Sequence, residues 1–232
     1  GYNLEPGSKE LTVLNYYTNE EITIPLDPTQ TPGENAQRYF AKYNKQKRTF
    51  EALTELIQET ADDIQYLESI SNALDIALSE ADLAQIKEEL MQSGYIRRKH
   101  TKKKVKLTSK PMHYISSDGY DMYVGKNNLQ NEELTFSFAN GNDWWFHAKG
   151  APGSHVIVKS GGDELPDQTF EEAGRLAAYY SKNRGADKVE IDYIQKKHVK
   201  KPNGAKPGFV VYYTNYSLVI DSDISNIKNV QD

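Results

Sequence analysis

The sequence predicts an α+β protein in which a long coiled-coil helical arm with a small β-hairpin precedes a compact α+β domain with a mostly antiparallel or mixed sheet. A heptad pattern from about residue 33 to 78 predicts the arm. Short alternating segments separated by glycine turns after residue 111 predict the sheet. The chain has 232 residues, enough for two structural units. The predicted divisions are the arm at 1–96, a basic linker at 97–110 and the sheet domain at 111–232.

Within the arm, residues 9–26 alternate apolar and polar side chains and predict a hairpin with its turn at 18–21. The following helix carries apolar residues at alternating steps of four and three, the spacing of a coiled coil. Its seam is Tyr39, Tyr43, Gln46, Phe50, Leu53, Ile57, Thr60, Ile64, Leu67, Ser71, Leu74 and Leu78. A lone helix with an apolar seam is marginal in water. We therefore expect a partner helix, either from a second copy by self-association or from residues upstream.

A second, short helix is predicted after the arm, because Ser79 and Asp82 form the pattern of a capping box and Gly94 can end the helix. The sheet domain is predicted to begin with a hairpin of strands at 113–116 and 120–124, followed by a short helix capped by Asn131 and ending at 138. Strands at 144–149 and 155–159 and a helix at 167–183 come next. A strand near 189–193 and a hairpin of 209–214 with 217–220 complete the predicted elements.

Charge is distributed unevenly along the chain. Residues 1–96 hold 7 Lys and Arg against 17 Asp and Glu, whereas residues 97–232 hold 21 against 16. Such an asymmetry between two halves is typical of a chain with two different partners. The second half is therefore where we expect a polyanion to bind.

Several function classes are excluded or disfavoured by composition. The chain has no cysteine, which excludes disulfides, thiolate zinc sites and cysteine nucleophiles. It has no apolar run of about 20 residues and no signal-peptide pattern, so we expect a cytoplasmic protein without membrane contact. No GxSxG or HExxH motif is present. We therefore predict no catalytic residue, no metal and no cofactor.

Two basic clusters are the first candidate sites, because lysine-rich segments follow phosphate backbones. The linker cluster is Arg97, Arg98, Lys99, Lys102, Lys103, Lys104 and Lys106. The second cluster is Lys196, Lys197, Lys200, Lys201 and Lys206, around a Pro-Asn-Gly turn. The alternative for both is a solvated segment without a partner.

The strand at 143–147 offers a second kind of site. Alternation places Asp143, Trp145 and His147 on one face. An exposed Trp145 or His147 can stack on an unpaired base, and the alternative is that Trp145 belongs to the core. A weaker reading pairs Asp143 with His147 in a nuclease-like site.

Polar residues near glycine turns complete the candidates for RNA contact. Lys149 precedes the loop of residues 150–153, and Ser154 and His155 follow it, where backbone amides can cradle a phosphate. Simple turn chemistry is the alternative. Lys126, Asn127 and Asn128 follow a predicted strand and are either RNA-facing or ordinary loop residues.

Four sequence stretches resemble the NFACT family. They are SSDGYDMYVGKNNLQNEEL at 116–134, NDWWFHAKGAPGSHVIV at 142–158, HVKKPNGAKPGFV at 198–210 and IPLDPTQTPGENAQRYFAKYNK at 24–45. The first three resemble its NFACT-R domain, and the last resembles the second half of its coiled-coil segment. The resemblance covers nearly the whole chain.

The resemblance implies a function in ribosome quality control. Family members bind the large ribosomal subunit when it carries an obstructed nascent chain, recruit tRNA, and direct a C-terminal tail, which is alanine in bacteria. The implied partners are the rRNA and protein of the large subunit, and tRNA. The older name of some Gram-positive members implies an alternative, a fibronectin-binding adhesin at the cell surface. The resemblance also implies that the partner of the heptad seam is an upstream helix.

Overall fold

The computed structural model describes residues 4–5, 7–97 and 109–230. The chain forms two compact units, Gly1–Asp62 and Asp63–Asp232. The helical residues after Asp62 therefore pack with the sheet domain, whereas the sequence predicts a division at the linker of residues 97–110. Tertiary contacts of these helical residues, which no local pattern shows, account for the difference.

In the first unit, strands β1 (Glu10–Asn15) and β2 (Glu20–Pro25) form the predicted antiparallel hairpin, with Asn15 opposite Glu20. The predicted turn at 18–21 is wrong, because the turn lies at residues 16–19. Asn19 has a φ of 58° and its N–H donates to the Asn15 carbonyl at 2.7 Å. Asparagine adopts this left-handed conformation more readily than most residues, so the turn closes at Asn19.

Helix α1 (Pro32–Ile76) confirms the predicted long helix. Thr31 and Glu34 begin it with reciprocal side-chain to backbone bonds of 3.2 and 2.7 Å. Tyr39, the first seam residue, is partly buried. The other eight apolar seam residues are between 42 and 72% exposed, and they are Tyr43, Phe50, Leu53, Ile57, Ile64, Leu67, Leu74 and Leu78. Self-association through this seam stays a prediction. In the part of the chain that the structure describes, no helix is long and apolar enough to cross a bilayer.

The last turns of α1 carry a second apolar face that the sequence analysis missed. Tyr66, Ile70 and Ala73 are buried against Ile86, and Ile76 joins the main core of the sheet domain. Because these residues alternate with the seam, the heptad pattern concealed them. The end of α1 therefore packs inside the second unit while its seam stays exposed.

Helix α2 (Glu80–Gln92) begins with the predicted capping box. The Asp82 N–H donates to Ser79 Oγ at 3.2 Å, and Asp82 Oδ2 accepts from the Ser79 N–H at 3.0 Å. At its end Gly94 has a φ of 81°, and the N–H of Tyr95 returns to the Leu90 carbonyl at 2.9 Å. Both predicted ends are confirmed.

The sheet domain contains one seven-stranded sheet in which every neighbouring pair is antiparallel. Its strands are β3 (Met112–Ile115), β4 (Asp121–Val124), β5 (Trp144–Ala148), β6 (Val156–Val158), β7 (Val189–Gln195), β8 (Tyr216–Ile220) and β9 (Lys228–Asn229), in the order β8-β7-β5-β6-β4-β3-β9. The remaining elements are α3 (Asn128–Glu133), a π-helical turn (Leu134–Phe138), α4 (Asp167–Tyr179) and a 3-10 turn (Lys196–His198).

The two faces of the sheet are covered differently. Helix α4 packs on one face, where Phe146 and Leu176 are fully buried. On the other face the π-helical turn and Val199 cover Trp145 and Ile157. The predicted alternation of Trp145 and Phe146 is correct, but both rings are buried because both faces of β5 are covered.

The predicted start of the short helix is wrong. The cap is Asn127, whose Oδ1 accepts the Gln130 N–H at 2.9 Å, and α3 begins at Asn128. Asn131 Oδ1 instead accepts the backbone N–H of His155 at 2.9 Å. Two asparagines four residues apart offer the same local chemistry, and a long-range contact decides between them.

The end of the domain also differs from prediction. Residues 209–214 do not pair with β8, which pairs with β7. They make one isolated bridge, between Lys200 and Val211, and Val210 and Tyr212 pack on the face that contains Trp145. Helix α4 ends at Tyr179 rather than at residue 183, because Ser181 leaves the helix to form a bridge with Gly153.

Candidate nucleic-acid interface

The linker cluster lies almost entirely outside the described residues. Arg98, Lys99, Lys102, Lys103, Lys104 and Lys106 fall in the undescribed range 98–108. Arg97 is described and is exposed. The prediction that this linker binds phosphates therefore stays a prediction.

The polar cluster after β4 faces α2. Lys126 Nζ lies 3.2 Å from Oδ1 of Asp82 on α2, and the exposed fractions of the two side chains are 11% and 1%. Asn127 is buried, and its Nδ2 donates to Gln85 Oε1 at 2.9 Å. These side chains join the sheet domain to α2, which corrects the prediction that they bind RNA.

Asn128 has the same structural role. It is buried, and its Nδ2 donates to Glu89 Oε1 at 2.8 Å. That oxygen also accepts the Tyr66 hydroxyl at 2.9 Å. Glu89 is fully buried, and burial raises the pKa of its carboxyl. The prediction that Asn128 binds RNA is therefore wrong as well.

Trp145 is unavailable to an unpaired base. Its side chain is fully buried, with the rings of His155 and Tyr212 at centroid distances of 5.0 and 4.9 Å. Within the described ranges its indole N–H finds no hydrogen-bond acceptor. The prediction of base stacking fails because the π-helical turn and residues 199–212 cover this face of β5.

Burial disfavours the charged form of the two histidines beside Trp145. His155 is buried, its Nδ1 lies 2.8 Å from Thr135 Oγ1, and burial lowers its pKa well below the usual value. Partly buried His147 has Nδ1 3.2 Å from the Ser154 carbonyl, and burial lowers its pKa too. The structure removes His155 from the candidate RNA contacts and leaves His147 as a partly exposed ring.

The glycine loop before His155 is packed rather than open. The Ser154 N–H donates to the Tyr180 carbonyl at 2.9 Å, and Ser154 Oγ donates to the Gly125 carbonyl at 2.5 Å. A Cβ at Gly153 would lie 2.9 Å from the Ser181 side chain. The amides of Ser154 and His155 are already used, so the prediction of a phosphate cradle here is wrong.

Asp143 and His147 do not form an acid–base site. Asp143 is buried and organises a turn by accepting the Asn140 N–H at 2.7 Å and the Lys159 ammonium at 2.5 Å. Four residues along a strand separate the two Cα atoms by roughly 13 Å. Among the described residues no group of three His, Asp or Glu side chains is arranged to hold a metal ion.

Three of the predicted phosphate-binding lysines have acidic partners within the chain. Lys149 pairs with Glu190 and Lys201 with Glu132. Lys206 pairs with Asp63, and its ammonium lies 4.7 Å from the Tyr66 ring centroid and 5.2 Å from that of Tyr95. Lys206 is thus fixed to α1. Exposed pairs such as Lys149 with Glu190 contribute little to stability, so that lysine can exchange its carboxylate partner for a phosphate.

Three lysines form the strongest remaining candidate. Lys196, Lys197 and Lys200, which we call the lysine turn, have no acidic partner among the residues that the structure describes. The backbone is fixed, since the N–H groups of Lys196 and Lys197 donate to the carbonyls of Asp143 and Gly141 at 2.8 and 3.0 Å. The structure therefore presents unneutralised cations on a rigid backbone.

Sequence reasoning missed a row of aromatic rings formed by β3, β4 and the π-helical turn. His113 and Tyr123 stack at 4.5 Å with planes 3° apart, and Phe138 meets Tyr123 edge-on at 4.7 Å. We call these three residues the aromatic strip. The alternation of β3 and β4 places His113 and Tyr123 on the same face, but their direct opposition depends on the register of the hairpin.

Comparisons with known proteins agree with this architecture. Residues 1–109 match the family model of NFACT N-terminal and middle domains, and residues 110–214 match that of the NFACT protein RNA binding domain. A solved structure of the C-terminal part of the fibronectin/fibrinogen-binding protein from Streptococcus suis is 44% identical, with a TM-score of 0.78. The match covers 86% of this chain and 80% of that one. The chain belongs to the NFACT family.

Longer family members are also similar to this NFACT chain. It is 45% identical over 228 residues to the Rqc2 homolog RqcH of Streptococcus pneumoniae serotype 2 (strain D39), and 42% identical over 233 residues to that of Bacillus subtilis strain 168. Each alignment covers 97% of this chain but only 41% and 40% of the relatives. The lysine turn and the aromatic strip both lie in the segment that matches the RNA-binding domain.

Proposed function

We propose that this chain is the C-terminal part of a cytoplasmic ribosome quality-control factor and that it acts as an RNA-binding module rather than as a catalyst. The observation that carries the proposal is the lysine turn, which leaves three cations without acidic partners within the described residues of a segment that matches an RNA-binding domain. The relatives named Rqc2 homolog RqcH support the quality-control role.

The physical basis of binding is the neutralisation of phosphates by lysine. Each lysine that meets a phosphate releases counterions, so affinity is gained at low salt and lost as salt rises. Lys197 and Lys200 are exposed and need break no intramolecular ion pair among the described residues to make this contact. The proposed ligands are rRNA of the large ribosomal subunit and tRNA. By binding rRNA and tRNA at the same time, the chain would support the addition of a C-terminal tail to the stalled nascent chain.

Charge reversal at the lysine turn tests the proposal. We expect Lys197→Glu with Lys200→Glu to weaken co-sedimentation with large ribosomal subunits, and binding of tRNA, at least about fivefold at moderate salt. The matched control is Lys42→Glu with Lys45→Glu, which makes the same change of net charge on exposed residues of α1. Equal binding by both double variants would contradict the proposal.

Fibronectin binding is a second candidate, favoured by the name of the solved relative from Streptococcus suis. It predicts a cell-surface protein whose interaction with fibronectin survives where subunit binding does not. Immobilised fibronectin and large ribosomal subunits should be compared with the same chain at the same salt. Tight binding to fibronectin together with no binding to subunits would favour this candidate over RNA binding.

A further inference from the structure

One half of the sheet face opposite α4 is only partly covered. Along β3 and β4, residues on the α4 side are buried, with Met122 and Val124 at 0% exposure. Residues on the opposite side, including His113 and Tyr123, are partly exposed. This contrasts with β5, where Trp145 is fully buried on that same opposite side. Among the residues that the structure describes, nothing more covers the sheet where the aromatic strip lies.

The aromatic strip is preorganised by its neighbours. His113 and Tyr123 lie directly opposite each other in the β3–β4 register, and His113 Nε2 is fixed 2.7 Å from Asp121 Oδ1. Phe138 remains 41% exposed at the end of the π-helical turn. Rings held in this way offer stacking surfaces whose side-chain entropy is already lost, so a ligand that stacks on them orders little of the protein.

A lysine that is ion-paired with buried Asp143 borders the strip. Lys159 Nζ lies 4.8 Å from the Phe138 ring centroid. The turn that holds Lys159 through Asp143 also binds the backbone of the lysine turn, since the Lys196 N–H donates to the Asp143 carbonyl. Residues 140–143 thus connect the aromatic strip to the unneutralised lysines.

We propose that the aromatic strip and the lysine turn form one site for unpaired nucleotides of RNA, in which bases stack on Phe138 and His113 and adjacent phosphates meet Lys196 and Lys197. This inference rests on the proposed RNA-binding function and deepens it by naming the class of RNA. Aromatic rings bind bases that are free to leave the helical stack, and they do so with little sequence preference. The site therefore takes single strands or loops and not uninterrupted duplexes.

The test uses the full chain and two RNA probes of equal length, a single strand carrying 2-aminopurine and the same strand annealed to its complement. Stacking of the fluorescent base on an aromatic ring quenches its emission. The variants are Phe138→Leu and His113→Leu, which keep apolar volume but remove the ring. The control is Tyr17→Leu, an exposed ring in the other compact unit. Thermal unfolding verifies that each variant is folded.

We expect the single strand to bind more tightly than the duplex and its emission to fall on binding. Phe138→Leu should weaken binding of the single strand about five- to tenfold and reduce the quenching, while Tyr17→Leu leaves both unchanged. His113→Leu should act in the same direction as Phe138→Leu. The duplex should be insensitive to all three variants.

Two other outcomes are distinguishable. If the chain binds RNA through Lys197 and Lys200 but Phe138→Leu and His113→Leu change neither affinity nor quenching, the stacking site is overturned and the proposed function stands. If the chain binds neither probe at low salt, the proposed function fails, and the stacking site fails with it.

Discussion

Two lysine-containing clusters of the sheet domain follow strands and look alike in the sequence, yet the fold uses them in opposite ways. Lys126 follows β4 with two buried asparagines and packs against α2, where the partly buried lysine pairs with buried Asp82. The lysine turn follows β7 and meets no acid among the described residues. The comparison teaches that a lysine after a strand is withdrawn from RNA where the fold pairs it with a buried carboxylate, and stays available where the described residues offer it no acid.

Removing one lysine from each cluster tests this difference between them most strongly. Lys126→Ala leaves Asp82 buried without its cation, and we expect a loss of about 3 kcal/mol in the free energy of unfolding. Lys200→Ala should cost less than about 0.5 kcal/mol, as an exposed residue does. Urea denaturation measures both.

RNA affinity should show the reverse order. We expect Lys200→Ala to weaken RNA binding, whereas folded Lys126→Ala should bind like the unaltered chain. A weaker RNA affinity for Lys126→Ala at a temperature where it is fully folded would contradict the assignment of Lys126 to the contact with α2.

The next largest effect on the free energy of unfolding is expected from His147 and His155. Burial lowers the pKa of His155 and His147 below 6.5. As pH falls below 6.5 the unfolded chain binds protons that the folded chain does not, so stability is lost. The loss is at most about 1.4 kcal/mol per pH unit for each histidine. Urea denaturation between pH 7.5 and 5.5 should show it.

Two variants make the histidine prediction specific. His155→Gln should flatten the fall in stability between pH 7.5 and 5.5, whatever its effect at pH 7.5. The control His198→Gln removes an exposed histidine and should leave the slope unchanged. Parallel pH profiles for His155→Gln and the unaltered chain would exclude burial as the cause.

A smaller effect on the free energy of unfolding is expected at Glu89, whose buried carboxyl accepts hydrogen bonds from Tyr66 and Asn128. Burial raises the pKa of its carboxyl above the usual value of 4.5. As pH rises above 4.5 the unfolded chain therefore ionises before the folded chain does, and stability falls. Glu89→Gln keeps an oxygen for Tyr66 and Asn128. We expect the variant to be more stable than the unaltered chain at pH 8 and equally stable near pH 4, as urea denaturation would measure. Equal stabilities at both pH values would contradict this.

The least effect on folding is expected from the exposed seam of α1. Leu53→Gln with Ile57→Gln removes two apolar side chains that are 50 and 68% exposed. Light scattering should show self-association of the unaltered chain at high concentration and a monomer for the variant, with RNA affinity unchanged. A monomeric unaltered chain at high concentration would remove the seam as a self-association surface.

Local patterns predicted most of the fold. The heptad spacing gave α1, the Ser79–Asp82 pair and Gly94 gave both ends of α2, and alternation gave the strands of the sheet domain. The failures depended on distant partners. Asn131 could not be recognised as a partner of His155, and residues 209–214 pack on a sheet face instead of pairing with β8.

The candidate site was harder to predict for the same reason. Asp82 neutralises Lys126 across 44 residues, and Glu132 neutralises Lys201 across 69. No window of sequence shows such pairs. Lys197 and Lys200 meet no distant acid among the described residues, and their contact with RNA stays a prediction. The aromatic strip required the strand register.

Salt dependence tests the central claim most directly, because it counts the phosphates that the lysine turn contacts. The affinity of the chain for single-stranded RNA should be measured from low to moderate salt, before and after Lys197→Ala with Lys200→Ala. We predict that the double variant lowers the slope of log affinity against log salt by about 1.4. Parallel lines for the two proteins would contradict the account.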